Sequence, residues 1–364
     1  MAFTAKDVQA LREKTNVGMM DCKKALTEAD GNMDKAIEIL REKGLASAAK
    51  KASRVAAEGV VVAFTDANAS ALVEVNCETD FVGKNPEFVA LAKQIAKTVV
   101  EKNPADLDAL LATTISDGSV SVADAVQELF LKIRENMKVR RFVRIEGTAV
   151  SYIHAGGSVG VLVEFDTDAD TDSAEFIEMG KNIAMQVAAM SPEYLSKDDI
   201  SAAELENMKK ITVESALNKP DSLPKPILMD VISKTIEAGK WDQKDIDAYE
   251  AEKNNKFLFN FLSKEAIAAL AETAVAGKEG YAANPIFGKL TDGRISKQIK
   301  EICLLEQAFV RSDIFEGSVG GYVAKVAKDT GKNIAIKGFT RFAKGEGIEK
   351  KADDFASEVA GMIK

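Results

Sequence analysis

One histidine, His154, one tryptophan and three cysteines, Cys22, Cys77 and Cys303, serve a chain of 364 residues. The thiols stand far apart with no paired spacing, so neither a cysteine metal clip nor a dithiol redox motif is present, and the odd number fits a reducing compartment. A single histidine leaves little for His-ligated metal hydrolysis or for proton shuttling through imidazoles. No apolar run approaches the roughly 20 residues that a membrane-spanning helix needs. The opening MAFTAKDVQALREK has neither the apolar centre of a signal peptide nor the acid-poor, Arg/Ser-rich character of a transit peptide. A cytoplasmic protein without membrane contact is expected. Net charge is −9, the wrong sign for a protein that lives on phosphate backbones, so protein partners are expected and nucleic acid is not. No G-x-x-x-x-G-K-[ST] loop and no G-x-G-x-x-G occurs. No nucleotide held directly by this chain, no cofactor and no enzymatic activity are expected.

What is present is ample apolar material, 46% hydrophobic against 29% charged residues, enough for two or more buried cores. Residues 1–55 read as three short helices. Thr4 starts the first, with Val8 and Leu11 on one face. Gly18 opens the second from Met19 to Ala29, closed by Asp30-Gly31. Asn32 caps a third, which Gly44 is expected to end. Further on, sliding the sequence by 88 residues lays 58–100 on 146–188 without gaps: Glu58-Gly59 meets Glu146-Gly147, Thr79-Asp80 meets Thr167-Asp168, and Ile95-Ala96 meets Ile183-Ala184. Both copies read strand, turn, strand, acidic loop, helix, and Asn85-Pro86-Glu87 is a helix start with cap, proline and first-turn acid. Residues 193–302 have helical spacing and charge, with breaks expected at Leu223 to Pro226, Asn284-Pro285 and Asp292-Gly293. From Cys303 a strand-like patch, a helix near Gly320–Lys328, a strand Ile334–Phe342, a Gly345-Glu346-Gly347 turn and a closing helix Asp353–Ile363 are expected. The fold class is therefore α+β: a three-helix (UBA-like) domain at 1–55, duplicated core subdomains at 56–145 and 146–192, a helical hairpin arm at 193–302 and a C-terminal module at 303–364.

Candidate chemistry is sparse. Gly156-Gly157-Ser158-Val159-Gly160 matches G-x-S-x-G, but a second strand follows where a nucleophile elbow needs a helix, and His154 lies upstream; a hairpin turn explains the glycines. The basic run Lys132 to Arg144 is a solvated helix face running into a strand, a contact with an acidic protein, or an RNA-binding surface. Met19-Met20 cannot both face inward at a helix start, and an exposed methionine is adaptable contact surface. In VNCETDFVGK, Phe81 sits beside Asp80 in a loop where the second copy has Ala169, so the duplicated architecture does not itself call for an aromatic. Phe81 is either a local cluster cap or an exposed anchor for a partner; the Asp168 counterpart of Asp80 suggests a loop-capping role common to both copies. The residues alone describe a non-enzymatic interaction protein.

LREKTNVGMMDCKKAL at Leu11–Leu26, VNCETDFV and FTRFAKGEGIEKK, in this order and separation, closely resemble the bacterial translation elongation factor Ts family over about 1–222 and 290–364, with about 223–290 looking like an insertion. The resemblance implies a guanine-nucleotide exchange factor whose partner is elongation factor Tu. It implies that Leu11, Met19, Met20 and Lys23 contact the partner's nucleotide domain. Asp80 and Phe81 are implied to enter beside its magnesium site, and His154 to reach its third domain. Phe309 and Val310, within Gln307-Ala308-Phe309-Val310 where the family has QPFV, are implied as further contacts, and the closing helix is implied to pack on the partner's nucleotide domain. A non-exchanging scaffold or an RNA- or ribosome-binding protein is the alternative.

Overall fold

A computed structural model of the protein describes residues 3–349 apart from 16 and 52, with backbone alone for 45–50. The described chain divides into two compact units. One contains residues up to Ser191, Val310–Phe315 and the chain from Gly321; the other contains Pro192–Phe309 and Glu316–Gly320.

The first unit opens with α1 (Ala5–Thr15), α2 (Met19–Glu28) and α3 (Met33–Lys51). The Asp7 carboxylate accepts from the Thr4 backbone N–H at 2.7 Å and from its hydroxyl at 2.8 Å; Asp30 and Gly31 turn the chain at φ 48° and 82°. Asn32 caps α3 by accepting from Lys35 N at 3.0 Å. The expected end at Gly44 is wrong: α3 runs on to Lys51. Gly44 is buried, and a Cβ there would collide with the Leu131 side chain, so close helix packing and not helix termination requires the glycine. Leu131 joins Leu11, Leu26, Ala36 and Leu40 in the small core of these helices.

The two segments that the 88-residue offset overlays each hold a hairpin and a long helix. In the first copy β1 (Glu58–Thr65) and β2 (Ala69–Cys77) form a hairpin, followed by the one-turn α4 (Asp80–Gly83), α5 (Pro86–Lys102), α6 (Leu107–Ala112), α7 (Val122–Ile133) and β3 (Lys138–Glu146). In the second, the hairpin is β4 (Ala149–His154) and β5 (Val159–Thr167), followed by α8 (Ala174–Met190). α5 and α8 are each 17 residues long, capped by Asn85 and Ser173 and ended by left-handed Asn103 and Ser191, all in register with the 88-residue offset. Each hairpin gains a third antiparallel strand from far along the chain. β3 pairs with β2, and β6 (Ile334–Ala343) pairs with β5.

α5 packs on the first sheet, with α6 against β3 and Phe88, Ile95 and Val99 fully buried in the core, and α8 covers the second sheet. The sheets meet through Val61, Leu72, Leu162 and Phe342. All nine residues of β2 are therefore buried, including Glu74, which a half-buried strand would have turned to water. A bulge in β3 leaves Arg140 between Val139 and Arg141 in the register. That bulge lets two successive arginines reach one carboxylate: Arg140 donates to Glu74 at 3.0 Å and Arg141 at 2.6 Å. Gly345 N–H donates to it at 2.7 Å, which docks the expected Gly345-Glu346-Gly347 turn (φ 69° and 75° at its glycines) onto the first sheet. Burial pushes the Glu74 carboxyl up, but the Gly345 N–H, Asn76 and the two guanidiniums outweigh it and hold it below the usual range. The closing helix expected at Asp353–Ile363 lies outside the described residues.

The second unit is helical: α9 (Ala202–Leu217), α10 (Lys225–Glu237), α11 (Gln243–Glu252), α12 (Lys264–Ala276), α13 (Lys278–Ala282) and α14 (Pro285–Ile302). α9 packs against α14, and Leu217, Val231, Ile232, Trp241, Leu270 and Phe287 share one core. The break expected at Asp292-Gly293 does not occur. α14 passes through it because Phe287, Thr291 and Ile295 bury one face, and packing of that face outweighs the propensity cost of a glycine, about 1 kcal/mol. The strand-like patch expected after Cys303 is a short 3-10 turn, Leu304–Glu306, with isolated bridges; α15 (Val319–Thr330) precedes β6.

Candidate functional site

The base of the Phe81 loop is fixed from several sides. Cys77 ends β2 with its thiol donating to Thr79 O at 3.1 Å; burial, and then the carboxylates of Glu135 and Glu58, push that thiol up to about 12, so it is inert. Thr79 starts α4 by accepting from Val82 N. Its own N–H and hydroxyl donate to the two carboxylate oxygens of Glu135 at 3.0 and 2.8 Å. Glu78 accepts from Asn136 N at 2.6 Å and pairs with Arg54 at 3.3 Å. Val82 and Gly83 are buried, and Gly83 rests against Gly59, itself at φ 131°. From this base Phe81 projects with 83% of its surface exposed, so it does not cap a local cluster. Asp80 does not cap the loop either, since Thr79 does. Asp80 pairs with Lys84 at 2.7 Å, and that hydrogen bond lowers its carboxyl below the ordinary value.

Met19 and Met20 are both exposed at the start of α2, at 52% and 63%, and Lys23 is exposed on the same helix. Leu11, which the resemblance implies as a contact, is buried. It lies wholly inside the three-helix core. The next residue of α2, Asp21, pairs with Arg134 at 2.7 Å.

Elsewhere in the same unit, Tyr152, His154, Met185, Ala188, Val310 and Arg311 line a shallow groove of about 210 Å³. The Tyr152 hydroxyl lies 2.9 Å from His154 Nδ1, and Val310 N donates to Gln186 at 2.8 Å. The structure thus brings His154 and Val310 together. Phe309 belongs to the second unit and is 4% exposed.

Sequence reasoning missed Glu135, which lay inside a stretch read for its basic residues, and the groove partners Tyr152 and Met185. Five residues of the basic run form ion pairs within the chain. Lys132 pairs with Glu87, Arg134 with Asp21, Arg140 and Arg141 with Glu74, and Arg144 with Glu146. The G-x-S-x-G match is a hairpin turn: Gly157 O accepts from Val61 N at 2.8 Å, and side chains at Gly157 and Gly160 would strike Val60 and Val61 of the first sheet. Among the described residues, no cluster of three His, Cys, Asp or Glu is placed to hold a metal, and no helix is long and apolar enough to cross a membrane.

The family model described as elongation factor TS matches residues 78–240 and 236–346. The chain is similar to an elongation factor Ts of Clostridium perfringens (strain SM101 / Type A), 40% identical over 365 residues covering 99% of each chain. It is similar to one of Syntrophotalea carbinolica, 38% over 367 residues and 100% of each, and to one of Clostridioides difficile (strain 630), 39% over 367 residues covering 100% of this chain and 99% of that one. Matches of this coverage include about 223–290, so that helical segment is shared with these relatives and is not an addition to this chain alone.

Proposed function

The chain belongs to the elongation factor Ts family of translation elongation factors, and from that premise we propose that it is a guanine-nucleotide exchange factor for elongation factor Tu. The observation that carries the reading is Phe81, a large aromatic left 83% exposed on a base held by at least five hydrogen bonds or ion pairs. Leaving such a side chain in water forgoes roughly 1.5–3 kcal/mol of burial, and an ordered base removes the entropy cost of presenting it. A rigid exposed aromatic is suited to enter a pocket on a partner.

In the partner, GDP is held by a phosphate-binding loop and by Mg²⁺, which offsets phosphate charge. Phe81 wedged beside that metal displaces the groups that position it. Asp80, kept anionic by Lys84, is placed to compete for the same water and backbone donors. Exchange then follows from negative coupling: factor and nucleotide weaken each other's binding by the same ratio, and GTP refills the site and releases the factor. No bond is made or broken, so the chain acts without a catalytic residue or cofactor and is not itself an enzyme. Met19, Met20 and Lys23 supply one docking surface, and the His154–Val310 groove a second.

An RNA-binding reading is disfavoured because the arginines of the basic run pair with carboxylates of the chain itself. The reading is tested by following fluorescent GDP release from elongation factor Tu while the full chain is titrated in. Release that accelerates and saturates supports exchange; binding without acceleration makes the protein a scaffold.

A further inference from the structure

Three of the four residues between α7 and β3 touch either the Phe81 loop or the helix that bears Met19 and Met20. Arg134, in the left-handed conformation at φ 65°, ends α7 and pairs with Asp21, the residue after Met20. Its carbonyl accepts from Lys51 of α3. Glu135 spends both carboxylate oxygens on Thr79, two residues before Phe81. Asn136 donates its N–H to Glu78 and its side-chain amide to the Arg54 carbonyl at 2.8 Å. Thr79 is the pivot: its hydroxyl hydrogen is committed to Glu135 while its oxygen accepts from Val82, so the carboxylate orients the cap that forms the single turn bearing Phe81.

We propose that Glu135 is the positioning residue for the Phe81 wedge, and that the Arg134–Asn136 connector sets the wedge in fixed register with the Met19–Met20 surface. This rests on the exchange reading and deepens it. A four-residue helix has too few internal hydrogen bonds to hold itself; its order comes from the cap, and the cap's order from Glu135. Because Glu135 contacts only the base of the loop, its loss lowers the yield of wedged complexes and leaves the docking surfaces in place.

The test uses the full chain as Glu135→Ala and Glu135→Gln, each alone and with Phe81→Ala. Two readouts are taken: amide hydrogen exchange of the peptide spanning 77–84 in the free protein, and the rate and half-saturation of GDP release from elongation factor Tu. Glu135→Ala is expected to speed exchange in that peptide at least about tenfold with the rest of the protein unchanged. It should lower the maximal release rate about tenfold, with half-saturation within about twofold, and add nothing in the Phe81→Ala background. Glu135→Gln, which retains one accepting oxygen, is expected to fall between, and it carries the test if Glu135→Ala does not fold. Unchanged peptide exchange overturns the clamp. Faster peptide exchange with unsubstituted release kinetics overturns the positioning role and leaves the exchange function standing. Failure of the unsubstituted protein to accelerate release overturns both, through a different measurement.

Discussion

The two copies of the core diverge at a loop that opens with the same two residues. After each hairpin comes Thr-Asp, and in each copy the residues leading into the third strand hold that loop. In the second copy Asn333 is the holder: its N–H donates to Asp168 at 2.7 Å and its carbonyl accepts from Thr167 at 2.7 Å. The acid is consumed, no helical turn forms and Ala169 follows. In the first copy the holder is Glu135, which engages Thr79 alone. Asp80 is left to Lys84, a turn of helix forms and Phe81 stands out. A second difference lies on the inner face of the central strands, where Glu74 in one copy corresponds to Leu162 in the other. The duplicated scaffold thus carries one loop closed on itself and one loop open to a partner, with the distinction made by which atom the incoming strand binds.

That comparison can be broken or sharpened by exchanging the differing residues. Phe81→Ala, which makes the first loop resemble the second, carries the largest expected effect on function: a loss of about 2 kcal/mol or more of interface energy, roughly 30-fold in release rate. Its thermal midpoint should stay within a degree or two, because the side chain is exposed. Glu74→Leu copies Leu162 into the first sheet and strands two arginines; destabilisation of about 3–5 kcal/mol is expected in urea unfolding. The same carboxylate predicts a pH dependence. Its folded value lies below its unfolded one, so its contribution is present above the ordinary Glu value of about 4.3 and is lost as pH falls through the lower folded value. Urea unfolding followed from pH 6 to pH 3 should show stability falling, with a shallower slope in Glu74→Leu. Ala169→Phe, the reverse exchange, is expected to leave release within about twofold, since the Asn333 bonds keep that loop closed; a gain in release would show that an aromatic alone makes a wedge.

Much of this was legible because the signals are local. Asn85 and Asn32 act as helix caps through their own side chains, and the repeat announced both hairpins and both long helices in register. The pairing of the third strand in each sheet was not legible: β6 joins β5 across more than 160 residues, and hydrophobic alternation carries no information about a distant partner. For the same reason Gly44 and Gly293 read as helix breaks, when what decides each is packing from another element. The burial of Glu74 carried no sequence signal, because its covering layer is the second copy. At the site, Phe81 and Met19-Met20 stood out as apolar residues in polar surroundings, whereas Glu135 carried no pattern. A carboxylate that clamps a threonine 56 positions away is visible only in three dimensions. Leu11 and Phe309 were implied as partner contacts by resemblance, and both are buried in the chain.

The most direct test of the account is stopped-flow release of fluorescent GDP from elongation factor Tu at saturating factor, with the unsubstituted chain and its Phe81→Ala variant. The account predicts fast release with the first and release slowed about 30-fold or more with the second, at equal thermal stability. Equal fast release with both would contradict the wedge and move the source of exchange to the Met19–Met20 and His154–Val310 surfaces.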